Sequence, residues 1–383
     1  MSVTAPQGFT AHGVAAGLKS TGAPDVAVVV NQGPSKDAAA VFTSNRCKAN
    51  PVLWSQEAIK GGSAAAVVIN SGGANCYTGA EGFAITHRTA ETVAELLDVG
   101  AIDVQVCSTG LIGLLNDREA LLSGVRAAVE GQSPDGGHTA ATAIMTTDSV
   151  AKEAVARGDG YAVGGMAKGA GMLAPALATM LVVITTDADI DSATADAVLR
   201  AATAQTFDRL DSDGCQSTND TVLLMASGAS GVTPDPDELT ATVTEVCRDL
   251  AMQLLADAEG ADHEIAIEVV NAASVDDALE VGRSVARSNL FKCAIFGKDP
   301  NWGRILASVG TTQAVFDPAD LDVALNGVWV CRNSGPGESP DSIDLEARAV
   351  SVTIDLKSGD QSGTIWTNDL TQAYVHENSA YSS

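Results

Sequence analysis

The sequence predicts an α/β fold, with mixed β-sheets layered with helices, on two observations. Short apolar runs rich in β-branched residues alternate with amphipathic helical segments along the whole 383-residue chain. Some of these strands follow each other without an intervening helix, around Gly158-Asp159-Gly160 and again near the C-terminus. The sheets are therefore expected to be mixed, and not a regular ladder of parallel βαβ units.

The first half of the chain contains four predicted elements, a loop and a hairpin. Runs of β-branched residues bounded by turn residues predict strands, and apolar residues at helical spacing predict a helix. The strands are 26–30, 64–69 and 104–107, and the helix is 81–97. A polar, glycine-rich loop is expected at 131–137, and a hairpin that joins 153–156 to 161–163 across Gly158-Asp159-Gly160.

The second half contains the clearest helix, 237–258, whose leucines and valines recur near the helical period. Between 264 and 269 isoleucine and valine alternate with glutamate and alanine, which predicts a strand. The remaining expectations are helices at 193–206 and 275–287, a loop at 299–304, and strands at 222–225, 321–325, 328–331, 350–354 and 364–366.

The charge balance excludes one large class of function. Acidic residues number 48 and basic residues 22, so the formal net charge is −26, whereas nucleic-acid binding needs a basic surface. No basic segment followed by an apolar one opens the sequence, and no apolar run is long enough to cross a bilayer. The seven cysteines form no Cys-x-x-Cys pair and the histidines show no metal spacing. A reduced, cytoplasmic protein without a metal site is expected.

The run from Lys168 to Leu181 contains the most informative residue. Thr179 is its single hydroxyl residue, and it lies between a glycine-rich loop and the apolar segment 180–184, a predicted buried strand that Thr179 would begin. This layout is typical of a self-cleaving precursor, in which the threonine hydroxyl attacks the preceding carbonyl.

Gly169-x-Gly171-x-x-Ala174 matches a dinucleotide-binding pattern, but that motif requires a helix, and here a proline and a strand follow.

Other segments carry candidate site residues, each with an ordinary structural alternative. An exposed Thr109 hydroxyl beside the Gly110 amide, after a strand, is consistent with an oxyanion hole or with a plain turn. Thr146 lies in the segment 145–148, which closes a short helix with polar groups and is equally typical of a cap. The segment 70–75 follows a strand and could supply polar contacts near a site, but it is most simply an ordinary loop. Glu259 is predicted at the C-terminus of the long helix, where the macrodipole disfavours a carboxylate. That mismatch indicates either a role in binding a substrate amine or a solvated side chain.

Together these motifs resemble the glutamate N-acetyltransferase/ornithine acetyltransferase family of arginine biosynthesis. The matching segments keep the family's order and are 107–113, 143–148, 168–181, 217–221, 256–260, 299–304 and 378–383. One departure follows Glu259-Gly260, where the family usually has a small residue, threonine and lysine. Asp262 and His263 stand in the last two of these places, which leaves Glu259 intact but changes the residues near it.

The resemblance implies an N-terminal-nucleophile-like architecture and cleavage of the Ala178–Thr179 bond. The products would be an α chain, 1–178, and a β chain, 179–383, that stay together as a heterotetramer of two α and two β chains. Thr179 would take an acetyl group from N2-acetylornithine and pass it to glutamate, with Thr109 and Gly110 as the oxyanion-hole pair. The implied substrate contacts are Thr146, Lys168, Thr179, Glu259, Asn378 and Ser383. No metal or bound cofactor is implied, and acetyl-CoA enters only if the enzyme also makes N-acetylglutamate directly.

The chemistry is coherent, because cleavage would free the α-amine of Thr179, whose pKa in model peptides is about 7.7–8.0. Such an amine is a suitable general base for the threonine hydroxyl. Two other classes stay open at this point. One is an N-terminal-nucleophile amidohydrolase or aminopeptidase, in which water replaces glutamate as the acceptor. The other is an uncleaved binding or scaffold protein without catalysis.

Overall fold

The structure is a computed structural model that describes residues 2–172 and 180–380. Its strands, numbered in chain order, are β1 Phe9–Val14, β2 Val26–Asn31, β3 Ala38–Phe42, β4 Ala66–Asn70, β5 Val104–Ser108, β6 Lys152–Arg157, β7 Ala162–Lys168, β8 Leu181–Thr186, β9 Thr221–Ala226, β10 Glu264–Ala272, β11 Asp322–Leu325, β12 Val328–Arg332, β13 Gly335–Pro336, β14 Ala349–Asp355 and β15 Gln361–Asn368. Its helices are α1 Asn50–Ala58, α2 Gly79–Leu97, α3 Arg118–Glu130, α4 Gly137–Ala143, α5 Ser192–Gln205, α6 Pro236–Ala256, α7 Val275–Ala286, α8 Asn289–Phe296, α9 Trp302–Val309 and α10 Gln372–Ala380.

The strands form three sheets of mixed direction. The first has the order β1-β2-β4-β5, in which β4 and β5 are parallel and the other neighbours are antiparallel. The second has the order β3-β9-β8-β7-β6, with β8 and β9 parallel. The third has the order β13-β12-β11-β14-β10-β15, with β10 and β14 parallel. The predicted class of mixed sheets layered with helices is confirmed.

The first two sheets pack face to face between two layers of helices. Alternate side chains of a strand point to opposite faces, so Val28 of β2 packs against the α2 and α3 layer while Val29 packs toward the second sheet. In the same way, Leu181 of β8 faces the first sheet and Val182 faces the α5 and α6 layer. Both sheets are thus covered on both faces, which is why their strands are nearly continuous apolar runs.

The third sheet has a separate core with α7, α8 and α9. Its longest strand, β10, lies next to the edge and pairs with β14 on one side and β15 on the other. This sheet brings the segment after β15, including α10, back to the turn that follows α6, since the Thr371 hydroxyl donates to the Gly260 carbonyl over 2.5 Å.

The second sheet combines strands from both sides of the predicted cleavage point. β8 and β9 follow residue 179, yet they lie between β3 and β7, which precede it. Residues Val163 to Lys168 of β7 are paired one by one with Thr186 to Leu181 of β8. The segments 1–178 and 179–383 therefore share one hydrogen-bonded sheet.

Most predicted elements are present, with several differences at their ends. The hairpin at Gly158-Asp159-Gly160 joins β6 to β7 as expected. The expectation of a loop over 299–304 is wrong for its last three residues, because α9 begins at Trp302. The expected loop at 131–137 ends where α4 begins, at Gly137. Thr179, expected to begin a strand, lies outside the described residues, and β8 begins at Leu181.

The pattern missed β1, β3, β13, α1, α3, α8, α9 and α10. Several of these elements are short or lack a regular apolar period, and their position is determined by packing against the sheets. Within 2–172 and 180–380, no helix combines the length and the apolarity needed to cross a membrane.

Candidate active site

A small cavity of about 80 Å³ brings together six of the residues singled out from the sequence. They are Thr109, Gly110, Thr146, Lys168, Glu259 and Asn378, and Thr147, Gly171 and Met172 complete the lining. Three other predicted residues, Ala178, Thr179 and Ser383, lie outside the described residues. The cavity thus collects side chains from segments up to 269 positions apart in the chain.

Thr109 and Gly110 come directly after β5. The Thr109 amide donates to the Asn70 carbonyl over 2.9 Å, so it is not available to a ligand. The Thr109 hydroxyl accepts from Lys168 Nζ at 3.2 Å, which leaves its own proton free to donate. Only 2% of Thr109 is exposed, so the expectation of an exposed hydroxyl is wrong. The side chain lies at the buried wall of the cavity and not on the surface.

Gly110 has a φ of +123°, in a region that residues with a side chain rarely adopt. A Cβ at this position would lie 3.0 Å from backbone atoms of Gly73, so a side chain has no room. Glycine is required here for both reasons. The Thr109 hydroxyl and the Gly110 amide are the two groups of this pair that could face a developing oxyanion.

The loop at 70–75, expected to be an ordinary loop, braces this pair. Asn70 Nδ2 donates to Ser108 Oγ at 2.7 Å. On the other side, Asn219 Nδ2 donates to the carbonyls of Ser108 and Ala74, each at 2.7 Å. Polar contacts from 70–75 were the less favoured of the two expectations for this segment. The role of Asn219, two residues before β9, was missed because its partners lie far away in the chain.

Lys168 is the last residue of β7 and is 1% exposed. Burial lowers the pKa of Lys168 from its ordinary value, because a desolvated ammonium group is disfavoured. Asp148, Asp220 and Glu259 act in the opposite direction, while Lys152 lowers the pKa further. The charge of Lys168 therefore depends on a few buried neighbours.

Asp148 accepts hydrogen bonds from two of the segments that form the cavity. Its Oδ2 accepts from the Thr146 amide at 2.9 Å, and its Oδ1 accepts from the Gly169 amide at 2.6 Å and from Lys152 Nζ at 2.7 Å. Burial alone would raise the pKa of Asp148, but Lys168 and Lys152 together with these hydrogen bonds bring it below its ordinary value. Asp148 is thus ionised at neutral pH.

Glu259 lies in a turn three residues beyond the end of α6, which ends at Ala256. The expectation that Glu259 lies at the helix C-terminus and is disfavoured by the macrodipole is therefore wrong, because Glu259 is not in the last turn of the helix. Its amide donates to the Ala170 carbonyl over 2.9 Å. A Cβ on Gly171 would lie 2.7 Å from its carboxylate, so the glycine allows the Glu259 side chain to approach the backbone of the 168–172 segment.

Asp262 and His263 are not among the residues that line the cavity. His263 is 4% exposed, and its Nδ1 lies 2.7 Å from Asp369 Oδ2 while its Nε2 lies 3.0 Å from the Leu345 carbonyl. Both ring nitrogens of His263 therefore lie within hydrogen-bonding distance of an oxygen atom. The departure from the family pattern thus places the His263 ring against Asp369, outside the lining of the cavity.

Asp220 is a buried carboxyl group beside β8. Its Oδ1 accepts from the Met180 amide at 3.1 Å, and Met180 is the residue that follows Thr179. Burial raises the pKa of Asp220 well above its ordinary value, although the Met180 amide, the Ser217 and Thr43 hydroxyls and Lys168 act against this shift. Burial thus favours the protonated form of Asp220.

A second chamber of about 440 Å³ lies on the other side of Glu259, which lines both cavities. Its other lining residues include Asp213, Arg287, Lys292, Asp369 and Tyr374. Among the described residues, no group of three or more His, Cys, Asp or Glu side chains is arranged to hold a metal ion. The absence of a metal and of a bound cofactor stays a prediction.

Comparison with known proteins decides the family. The model of the ArgJ family matches residues 10–383. The chain belongs to the ArgJ family. Within the ArgJ family it is 63% identical to the arginine biosynthesis bifunctional protein ArgJ of Streptomyces avermitilis, over all 383 residues and the full length of both chains.

Two further similarities are to mycobacterial proteins. The arginine biosynthesis bifunctional protein ArgJ of Mycobacterium leprae is 53% identical over 389 aligned positions, covering 100% of this chain and 96% of the relative. A crystal structure of ornithine acetyltransferase from Mycobacterium tuberculosis complexed with ornithine is 52% identical. It covers 47% of this chain and 96% of that chain, with a TM-score of 0.45. The family predicted from the motifs is confirmed by the ArgJ family model and the full-length relatives.

Proposed function

We propose that this member of the ArgJ family is a self-processing acetyltransferase of arginine biosynthesis. It moves an acetyl group from N2-acetylornithine to glutamate through an acetyl ester on Thr179. The observation that carries the proposal is the convergence of Thr109, Gly110, Thr146, Lys168, Glu259 and Asn378 on one cavity. The full-length similarity to arginine biosynthesis bifunctional proteins supports the same assignment.

Self-cleavage is the first step of the proposed mechanism. The Thr179 hydroxyl attacks the carbonyl carbon of Ala178, and the Thr179 nitrogen leaves as an amine, so that an ester replaces the peptide bond. Water then hydrolyses the ester and leaves a carboxylate on Ala178 and a free α-amine on Thr179. The products are the α chain, 1–178, and the β chain, 179–383.

Acetyl transfer then uses the new amine as the general base. The amine takes the hydroxyl proton of Thr179 while the oxygen attacks the acetyl carbonyl of N2-acetylornithine, and ornithine leaves with a proton. Glutamate's amine next attacks the acetyl ester, and the threonine hydroxyl is regenerated. Two half-reactions of this kind predict ping-pong kinetics.

The described residues have distinct roles in this scheme. The Thr109 hydroxyl and the Gly110 amide bind the oxyanion of each tetrahedral intermediate, where loss of one such donor typically costs about 100- to 1,000-fold in rate. Lys168 pairs with the substrate carboxylate, and Glu259 binds a substrate amine. Thr146, Asn378 and Ser383 complete the contacts.

Cofactors, assembly and location complete the proposal. The reaction needs no metal or bound cofactor, and acetyl-CoA is a substrate if the enzyme also acetylates glutamate directly. The processed protein is a heterotetramer of two α and two β chains in the cytoplasm. An assay with glutamate and acetyl-CoA alone distinguishes one acetyl donor from two.

The test compares the unsubstituted protein with Thr179→Ala and Thr179→Ser. Intact-mass measurement should show two chains for the unsubstituted protein and one full-length chain for Thr179→Ala, because alanine lacks the attacking oxygen. Acetyl transfer from N2-acetylornithine to glutamate should be lost in Thr179→Ala, while Thr179→Ser keeps a hydroxyl and retains partial cleavage. Cleavage of Thr179→Ala would contradict the nucleophile. Acetate release in place of transfer by the unsubstituted protein would indicate an amidohydrolase.

A further inference from the structure

A buried ion pair lies directly behind the cavity and is not part of the mechanism above. Lys152 and the side chain of Asp148 are both fully buried, with Lys152 Nζ 2.7 Å from Asp148 Oδ1. The same nitrogen lies 2.5 Å from Asp257 Oδ2, whose side chain is 12% exposed. A pair so far from solvent is costly to break, because one charge would be left without a partner.

The pair connects three segments that form the cavity. Asp148 accepts hydrogen bonds from the amides of Thr146 and Gly169. Thr146 is itself a proposed substrate contact, and Gly169 follows Lys168, which is another. Asp257 follows the last residue of α6 and precedes Glu259 by two residues. Asp257 also accepts from the amide of Ser149 at 3.0 Å and from its hydroxyl. Lys152 therefore joins the Thr146 segment to the Glu259 turn.

The pair also determines the electrostatic surroundings of Lys168. The charged or titratable groups that face Lys168 are Asp148, Lys152, Asp220, Glu259 and Lys19. Burial favours the neutral form of Asp220, and Glu259 is only partly buried and lines the cavity. Asp148 is thus the fully buried anion beside Lys168, whereas Lys152 and Lys19 repel its charge.

We propose that Asp148, held in place by Lys152, is a positioning residue that keeps Lys168 protonated for the substrate carboxylate and holds the Thr146 segment against it. This inference rests on the proposed function, since it assigns the carboxylate of the substrate to Lys168. Asp148 acts through Lys168 and Thr146 and does not itself line the cavity.

The test is Asp148→Asn in the full-length, self-processed protein. The amide keeps nearly the same volume and one acceptor oxygen, but it removes the negative charge beside Lys168. Burial and Lys152 then lower the pKa of Lys168 further. The KM for N2-acetylornithine should rise more than kcat falls. The alkaline limb of kcat/KM should move to lower pH, by about one unit or more.

A second variant should shift the alkaline limb of the pH profile in the opposite direction. Lys152→Met removes a neighbouring positive charge, so the alkaline limb of kcat/KM should move to higher pH. The matched control is Asp196→Asn, which breaks an exposed ion pair with Arg200 on α5 and should leave the profile unchanged. Thermal unfolding of each variant separates loss of fold from loss of positioning.

The outcomes distinguish this inference from the proposed function. An unsubstituted protein that transfers no acetyl group contradicts the function itself. If that protein is active and Asp148→Asn keeps its pH profile and KM, the positioning role is wrong. The pair would be purely structural if both variants lost stability without any shift of the pH profile, or if both failed to fold. Either outcome would overturn the proposal.

Discussion

Three buried ionisable residues near the cavity, Asp148, Lys168 and Asp220, have pKa shifts with different physical causes. Desolvation dominates for Lys168 and Asp220, so each is pushed toward its neutral form. For Asp148 two lysines and the Gly169 amide outweigh desolvation, and the carboxylate stays ionised. The residue type alone does not determine the charge at any of these positions.

The raised pKa of Asp220 can be tested by the dependence of protein stability on pH. A carboxyl group in an unfolded chain has a pKa of about 3.9, whereas folded Asp220 stays protonated well above that pH. The folded state then binds more protons than the unfolded state, so this group lowers stability as pH rises above about 4. Asp220→Asn is always neutral and keeps an oxygen for the Met180 amide. We expect its thermal midpoint, relative to that of the unsubstituted protein, to increase from pH 4 to pH 7.

The control for this prediction is Asp191→Asn at the N-cap of α5. Hydrogen bonds from Thr194 lower the pKa of Asp191, so its contribution to stability is present above pH 4 and lost as pH falls. The relative midpoint of Asp191→Asn should therefore change with pH in the opposite direction. A relative midpoint of Asp220→Asn that does not vary with pH would contradict a raised pKa for Asp220.

At the scale of elements, the site depends on how α4 packs on the first sheet. α4 precedes the segment that carries Thr146 and Asp148, and it lies against β1 and β2. A Cβ on Gly13 of β1 would lie 2.0 Å from the Thr139 carbonyl oxygen of α4. The close approach of helix and strand therefore requires glycine at this position.

We expect Gly13→Ala to displace α4 and the Thr146 segment. Overpacking of this kind typically costs about 1–3 kcal/mol in the free energy of unfolding. The denaturation midpoint should fall, and KM for N2-acetylornithine should rise because Thr146 moves with the helix. Gly61→Ala is the matched control, since a Cβ at that position would have nothing within 4 Å of it and the change should have little effect. Equal midpoints for the two variants would contradict the packing argument.

At the scale of the whole molecule, the second sheet links the two chains that self-cleavage would produce. β8 and β9 of the β chain lie between β3 and β7 of the α chain, and every residue of β3 and of β8 is paired across the boundary between the two chains. Separating the chains would require breaking two strand ladders and opening the cores on both faces of the sheet.

We therefore expect fragments 1–178 and 179–383 to elute together in size-exclusion chromatography without denaturant. They should separate only after unfolding in guanidinium chloride. The uncleaved Thr179→Ala variant should elute at the same volume, because cleavage leaves the strand pairing unchanged. Elution of separate chains under native conditions would contradict the shared sheet.

The sequence predicted those parts of the fold that depend on local patterns. α2, α5, α6 and α7 show helical spacing, and the buried strands β2, β5, β8 and β9 are apolar runs of the expected length. It missed α1, with its proline in the first turn, and β1, which combines glycine and histidine with apolar residues. In both cases contacts with distant segments outweigh a weak local preference.

The sequence by itself determined the family, the residue types of the site and the candidate nucleophile Thr179, because these depend on motifs of adjacent residues. Only the tertiary structure decided which residues share a cavity, since Thr109, Lys168, Glu259 and Asn378 come from distant segments. It also decided that Thr109 is buried, that Glu259 lies beyond the helix end, and that His263 pairs with Asp369 behind the site. Burial and charge neighbours are properties of three-dimensional packing, and no local pattern in the chain specifies them.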